Sequence, residues 1–172
     1  NSRTAEYSPI HLGRAYTQFL IEELKPFIDK NYRTLTGPEN TAIAGSSMGG
    51  IISFHIAWEH PDVFGMSACM SPAFMIDDNE IVKRVKSYSG IKKPVKFYID
   101  NGTIGLEKQF DASMNEIIRL LKNMGYEENV DLMVYIDEGA EHNEIAWSKR
   151  VHMPLLYFFG LDLINPFPGY SD

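Results

Sequence analysis

The sequence predicts an α/β fold: a mostly parallel sheet covered by helices on both faces. Three observations carry that expectation. Short apolar runs of strand length alternate with longer segments whose apolar residues recur every three or four positions. Glycine and proline gather mainly between those segments and in the tail NPFPGYSD. Hydrophobic residues make up 44% and charged residues 23%, so there is enough apolar side chain to build a core. Strands that alternate with helices are joined by right-handed crossovers, which carry the helices to the two faces of the sheet.

The elements follow in order. Residues 13–32 read as an amphipathic helix, with Tyr16, Phe19, Leu20, Leu24, Phe27 and Ile28 on one stripe and a kink or break at Pro26. Residues 41–45, TAIAG, form a small apolar run bounded by turn residues, which suits a buried strand. Residues 49–60 read as a helix closed by Pro61, and 64–71 as a second strand. A polar amphipathic helix is expected over 79–89 and a third strand over 95–99. Residues 106–124 form a long helix with Phe110, Met114, Ile117, Ile118 and Leu121 on one face, stopped by Gly125. A fourth strand over 130–136 precedes a last helix over 143–159, interrupted by Pro154.

Composition narrows the function. The 172 residues amount to one domain or part of one. A net charge of −7 with no basic cluster argues against nucleic-acid binding. The single cysteine, Cys69, excludes an intramolecular disulfide, argues against a cysteine zinc site and reads as a buried thiol. The longest stretch without Asp, Glu, Lys or Arg is residues 40–58, nineteen long. It carries three serines, a histidine and a Gly-Gly pair, so a buried strand, turn and helix explain it better than a membrane span. No signal peptide is visible, which favours a cytoplasmic location unless a signal has been trimmed upstream.

One motif carries chemistry. Gly45-Ser46-Ser47-Met48-Gly49 matches G-x-S-x-G and lies between a predicted strand and a predicted helix. In that context the serine sits on a strained, tight turn, and the flanking glycines are expected to avoid a clash. Ser47 is then the nucleophile, and the Met48 N–H, at the start of the helix, donates to a developing oxyanion. A serine needs a base, and the base needs an orienting acid. His142 follows the fourth strand, where the base should be; His11 precedes the nucleophile, while His55, His60 and His152 lie in or beside helices. The acid should follow the third strand, in DNGTIGLE, where Glu107 is preferred and Asp100 is the alternative. Either carboxylate can instead cap a helix. Trp147 is a candidate substrate-lining residue with packing as its competitor, and Asn143 and Glu144 are expected to cap the last helix. Asn101-Gly102-Thr103 fits a glycosylation pattern, but an active-site turn explains it better.

With these residues placed, the chain resembles the esterase family of α/β-hydrolases that includes enterochelin, feruloyl and acetyl-xylan esterases. The matching stretches are EYSP at 6–9, FLIEELKPFIDKNYRT at 19–34, TAIAGSSMGG at 41–50, HPDVFG at 60–65, SPAF at 71–74, YIDNGT at 98–103 and EHNEIAW at 141–147. The resemblance implies a serine esterase in which Ser47 attacks, Met48 supplies an oxyanion donor and His142 is the base. Feruloyl-type members carry an aspartate where this chain has Gly105. It further implies that residues 1–172 are the C-terminal two-thirds of one catalytic domain, without its N-terminal strands and the loop holding the second oxyanion donor. The strand over 41–45 would then show an apolar edge. No cofactor or metal is expected. The expected partner is a small-molecule or carbohydrate-linked ester, with no nucleic acid, no membrane and oligomerisation left open. The competing readings are thioester hydrolysis or acyl transfer on the same residues, and a catalytically incomplete fragment.

Overall fold

The computed structural model describes residues 2–160. Its elements run α1 (Ser2–Tyr7), α2 (Gly13–Gln18), a π-helical segment (Phe19–Leu24), α3 (Lys25–Asn31), β1 (Ala42–Ser46), α4 (Met48–Glu59), β2 (Met66–Met70) and α5 (Ile76–Ser87). They continue through β3 (Lys96–Gly102), a 3-10 turn (Gly105–Gln109), α6 (Asp111–Asn123), β4 (Leu132–Asp137), α7 (Glu144–Arg150) and α8 (His152–Phe159). The four strands form one parallel sheet in the order β1-β2-β3-β4.

Strand alternation divides the sheet's side chains between two cores. Cys69, Phe97, Ile99 and Leu132 face α4, α5 and α6. Ala68, Met70, Tyr98 and Met133 face Trp147 of α7 and Met153 of α8. Helices therefore cover both faces, and α4 is buried almost all round because α1 packs on its outer side. No helix among the described residues is long and apolar enough to cross a membrane.

Two departures from expectation come from proline. Pro26 does not break its helix where it stands. It cannot donate a backbone hydrogen bond and crowds the carbonyl four residues back, so the turn before it widens into the π-helical segment. Pro154 acts upstream in the same way: the break falls at Val151, and Pro154 sits in the first turn of α8. The regular part of α5 begins where the sequence places it, after the three left-handed residues Asp77, Asp78 and Asn79.

The carboxyl ends of the strands lie side by side. Ser46 faces Met70, Met70 faces Asp100, and Gly102 faces Asp137. The residues that follow those ends are Ser47, Ser71, the segment from 103, and the loop from 138, so four loops meet on one edge of the sheet.

Candidate active site

Ser47 has φ 57° and ψ −118°, between the last residue of β1 and the first of α4. A non-glycine residue in such a region costs on the order of 1–3 kcal/mol and persists only where its surroundings hold it. Here the Ser47 N–H donates to the Met70 carbonyl (2.9 Å), and the Ser47 carbonyl accepts from Gly50 (3.0 Å) and Ala73 (3.2 Å). The side chain does not cap its helix, which leaves Oγ for another partner. The Met48 N–H, at the first helical position, has no intrahelical acceptor. A Cβ on Gly45 would lie 2.4 Å from the Gly49 backbone, so the turn requires that glycine. Gly49 corrects the expectation that both flanking glycines avoid a clash: a Cβ there meets nothing within 4 Å. Gly50 is the tighter position, 3.1 Å from Pro72.

His142 Nε2 lies 2.9 Å from Ser47 Oγ. Its other ring nitrogen, Nδ1, lies 3.3 Å from Glu107 Oε1. That contact is off-line for a full hydrogen bond, and among the described residues neither Nδ1 nor Glu107 Oε2 makes one. The imidazole is held edge-on by Phe110 and Trp147, with ring centroids 4.8 and 4.9 Å away. Burial would push the Glu107 carboxyl up, but contacts with His142, Ser71 and the Gly102 N–H bring it below its ordinary value.

The DNGT loop ties the segment of Glu107 to that of His142. Asn101 Nδ2 donates to the Glu107 carbonyl (2.9 Å) and to Asp111 (2.8 Å). Gly102 lets the Ala140 carbonyl approach to where a Cβ would be 2.3 Å away. The N–H groups of Thr103 and Ile104 both donate to that carbonyl at 3.1 Å, and Thr103 Oγ1 accepts from Gly139 (2.9 Å). The loops bearing Glu107 and His142 are thereby stitched together. Asn101 is fully buried, which leaves no room for a glycan.

Two further sequence candidates take structural places. Asp100 does not reach His142. Its Oδ2 accepts from Arg150 Nε (3.0 Å) and its Oδ1 from the Ser71 N–H (3.0 Å). Burial pushes its carboxyl up to about 6 against the pull of Arg150. Trp147 is buried rather than set along an open cleft; its ring backs His142 and its indole N–H donates to Ser71 Oγ (3.0 Å). Asn143 caps α7 as expected, its Oδ1 accepting from the Ala146 N–H (2.9 Å).

The other histidines lie apart. His55 is buried on α4, where burial lowers its pKa to about 4, and His11 and His152 are exposed. Cys69 is fully buried, which pushes its thiol up to about 12. Among the described residues no cluster of His, Cys, Asp and Glu is placed to hold a metal ion.

Sequence reasoning passed over Ser71 and Arg150. Ser71 Oγ donates to Glu107 Oε1 (2.7 Å) and accepts from Arg150 (2.7 Å). Arg150 also reaches Asp137 (3.2 Å), and is one of the largest fully buried side chains. Arg150 stands one helical turn past Trp147 and directly after Lys149, so nothing local set it apart.

The family described as "Putative esterase" matches residues 7–156. The chain belongs to this esterase family. Over 135 residues it is 29% identical to an endo-1,4-beta-xylanase/feruloyl esterase of Xylanibacter ruminicola, spanning 78% of this chain and 16% of that protein. Over 154 residues it is 23% identical to the uncharacterized protein YbbA of Bacillus subtilis, spanning 87% of this chain and 61% of that protein. The chain thus spans less than two-thirds of either relative. Among solved structures it resembles the enterochelin esterase of Shigella flexneri, with a TM-score of 0.77 at 13% identity over 92% of this chain and 40% of that one. It also resembles a ferulic acid esterase, with a TM-score of 0.70 at 23% identity over 83% and 60%. At these identities the likeness establishes the shared α/β-hydrolase fold.

Proposed function

We propose that this chain hydrolyses carboxylic esters through an acyl-enzyme on Ser47. The observation that carries the reading is the row Ser47 Oγ, His142 Nε2, His142 Nδ1 and Glu107 Oε1, at 2.9 and 3.3 Å across its two gaps. Glu107, an acceptor when ionised, selects the tautomer with the proton on Nδ1 and leaves Nε2 to take the Ser47 proton. Ser47 Oγ then bonds to the ester carbonyl carbon, and its proton passes to His142. The carbonyl electrons move to oxygen, where the Met48 N–H meets the developing charge. Collapse expels the alcohol, which takes the proton from His142, and water repeats the sequence to release the acid. Glu107 stabilises the imidazolium throughout.

Family membership and the feruloyl esterase relative favour carbohydrate-linked acyl esters such as feruloylated sugars as substrates. A fluorophosphonate probe is expected to label the wild-type protein and not Ser47→Ala. Absence of labelling in folded wild-type protein would sink the reading. A panel of p-nitrophenyl acetate, methyl ferulate, a feruloylated arabinose and an acyl thioester should then be turned over with the feruloylated sugar leading. A thioester in the lead would point instead to thioester hydrolysis on the same serine.

A further inference from the structure

We propose that Ser71 is a positioning residue whose hydroxyl, locked by Arg150 and Trp147, holds the Glu107 carboxylate in place behind His142. The inference rests on the reading of Glu107 as the acid of the triad.

The donors around Ser71 Oγ fix where its hydrogen points. A serine hydroxyl has one hydrogen and two lone pairs. Trp147 Nε1 and the Arg150 guanidinium can only donate, and they lie 3.0 and 2.7 Å from Oγ. Both lone pairs are therefore occupied. The one remaining direction holds Glu107 Oε1 at 2.7 Å, so the Ser71 hydrogen must point there. The same carboxylate oxygen faces His142 Nδ1. Ser71 is fully buried, and Arg150 is 1% exposed, so water does not compete for these bonds.

The backbone shows that the hydroxyl is held in place rather than left to rotate. Ser71 has φ 43°, a left-handed conformation that disfavours a non-glycine side chain. Its N–H is fixed by the Asp100 carbonyl and carboxylate, both at 3.0 Å. Arg150 in turn grips Asp100 at the end of β3 and Asp137 at the end of β4. Trp147 and Arg150 stand three residues apart on α7, hence on one face. That single helix, which begins two residues after His142, supplies both donors to Ser71 and one aromatic wall for the imidazole. The base and the acid are thus referenced to the same rigid element.

A role confined to stability predicts weaker folding and nothing else. A positioning role also predicts a change in pH dependence. Burial pushes the Glu107 carboxyl up, and the Ser71 hydroxyl is one of the contacts that oppose it. Without that hydroxyl the carboxyl titrates higher, and a protonated Glu107 cannot orient His142. The acid limb of activity must then move to higher pH.

The experiment measures p-nitrophenyl acetate hydrolysis and fluorophosphonate labelling rate against pH for wild type, Ser71→Ala, Ser71→Gly and Trp147→Phe. Glycine suits the backbone at this position, so Ser71→Gly is the variant expected to fold if alanine does not. The expected result is a fall in kcat of roughly tenfold to a hundredfold with KM within about twofold, and an acid limb raised by about half a pH unit or more. Trp147→Phe removes one donor and keeps an aromatic ring, and should shift the limb in the same direction by less. Folded Ser71 variants with wild-type kcat and an unmoved limb would overturn the proposal. If neither Ser71 variant folds, an unmoved limb in Trp147→Phe overturns it and a raised one supports it. Glu107→Gln separates the two readings: full activity there removes Glu107 from the triad, whereas an impaired Glu107→Gln beside normal Ser71 variants removes only this proposal.

Discussion

Ser47 and Ser71 occupy equivalent places at the ends of neighbouring strands. Each follows one of the facing residues Ser46 and Met70, and each has a left-handed backbone, at φ 57° and 43°. Their hydroxyls differ in every other respect. Among the described residues Ser47 Oγ has one partner, His142, and the residue is half-buried. Ser71 Oγ has three partners and is fully buried. Strain at a strand end is therefore not what marks a nucleophile. What matters is how many of the oxygen's hydrogen-bonding directions remain unfilled. A serine with a free lone pair beside a base can attack; one with both lone pairs taken can only hold something else.

The sharpest way to break this comparison is to delete each hydroxyl and read rate and stability together. Ser47→Ala should lower esterase turnover by at least about 10³-fold. Its stability should change by no more than about 1 kcal/mol, since one partly exposed hydrogen bond is lost. Ser71→Ala reverses the emphasis. It strands the Trp147 and Arg150 donors in a buried site and should cost roughly 2–4 kcal/mol in urea unfolding. Equal stability losses for the two variants would mean that the count of partners does not separate the two serines.

The two carboxylates on and just beyond β3, Asp100 and Glu107, extend the contrast. Glu107→Gln keeps the shape of the side chain but removes the charge that supports the imidazolium, and should cost about 10²–10⁴ in kcat. Asp100→Asn leaves Arg150 buried with its principal counter-charge gone. It should destabilise the fold by about 3–5 kcal/mol, while the molecules that remain folded keep more activity than Glu107→Gln. Circular dichroism melts beside initial rates distinguish the two. A larger rate loss in folded Asp100→Asn than in Glu107→Gln would reassign the acid.

These contrasts also explain which parts of the site were legible in the sequence. Ser47 and His142 were readable because their signals are local: a glycine-flanked turn after an apolar run, and a histidine just past the last strand. The choice between Glu107 and Asp100 was not local. Glu107 lies beside His142 in a segment joined to the His142 loop where Ala140 approaches Gly102, and Asp100 is engaged by Arg150, fifty residues away. Ser71 and Arg150 are 79 residues apart in the chain, and nothing near either announces the pairing. The alternation of strands and helices was legible throughout, because period and punctuation are local too. The π-helical segment was not, since proline displaces its effect onto the turn before it.

The smallest effect sharpens the comparison at the level of the backbone. Ser47 is flanked two residues away by Gly45 and Gly49, whereas Ser71 is flanked by Cys69 and Ala73. The left-handed serine does not by itself demand glycine neighbours, so the glycines near Ser47 must answer to how tightly β1 turns into α4. The contacts divide them. A Cβ on Gly45 would sit 2.4 Å from the Gly49 backbone, and no side-chain rotation can relieve that. Gly45→Ala should therefore shift the turn, cost several-fold in labelling rate and lower the melting temperature. A Cβ on Gly49 meets nothing among the described residues and lies in the first turn of α4. There alanine is the better helix former by up to about 1 kcal/mol. Gly49→Ala should leave stability unchanged or slightly raised and the Ser47 labelling rate close to wild type. If Gly49→Ala proves as damaging as Gly45→Ala, the crowding at this turn comes from something other than the clash across it.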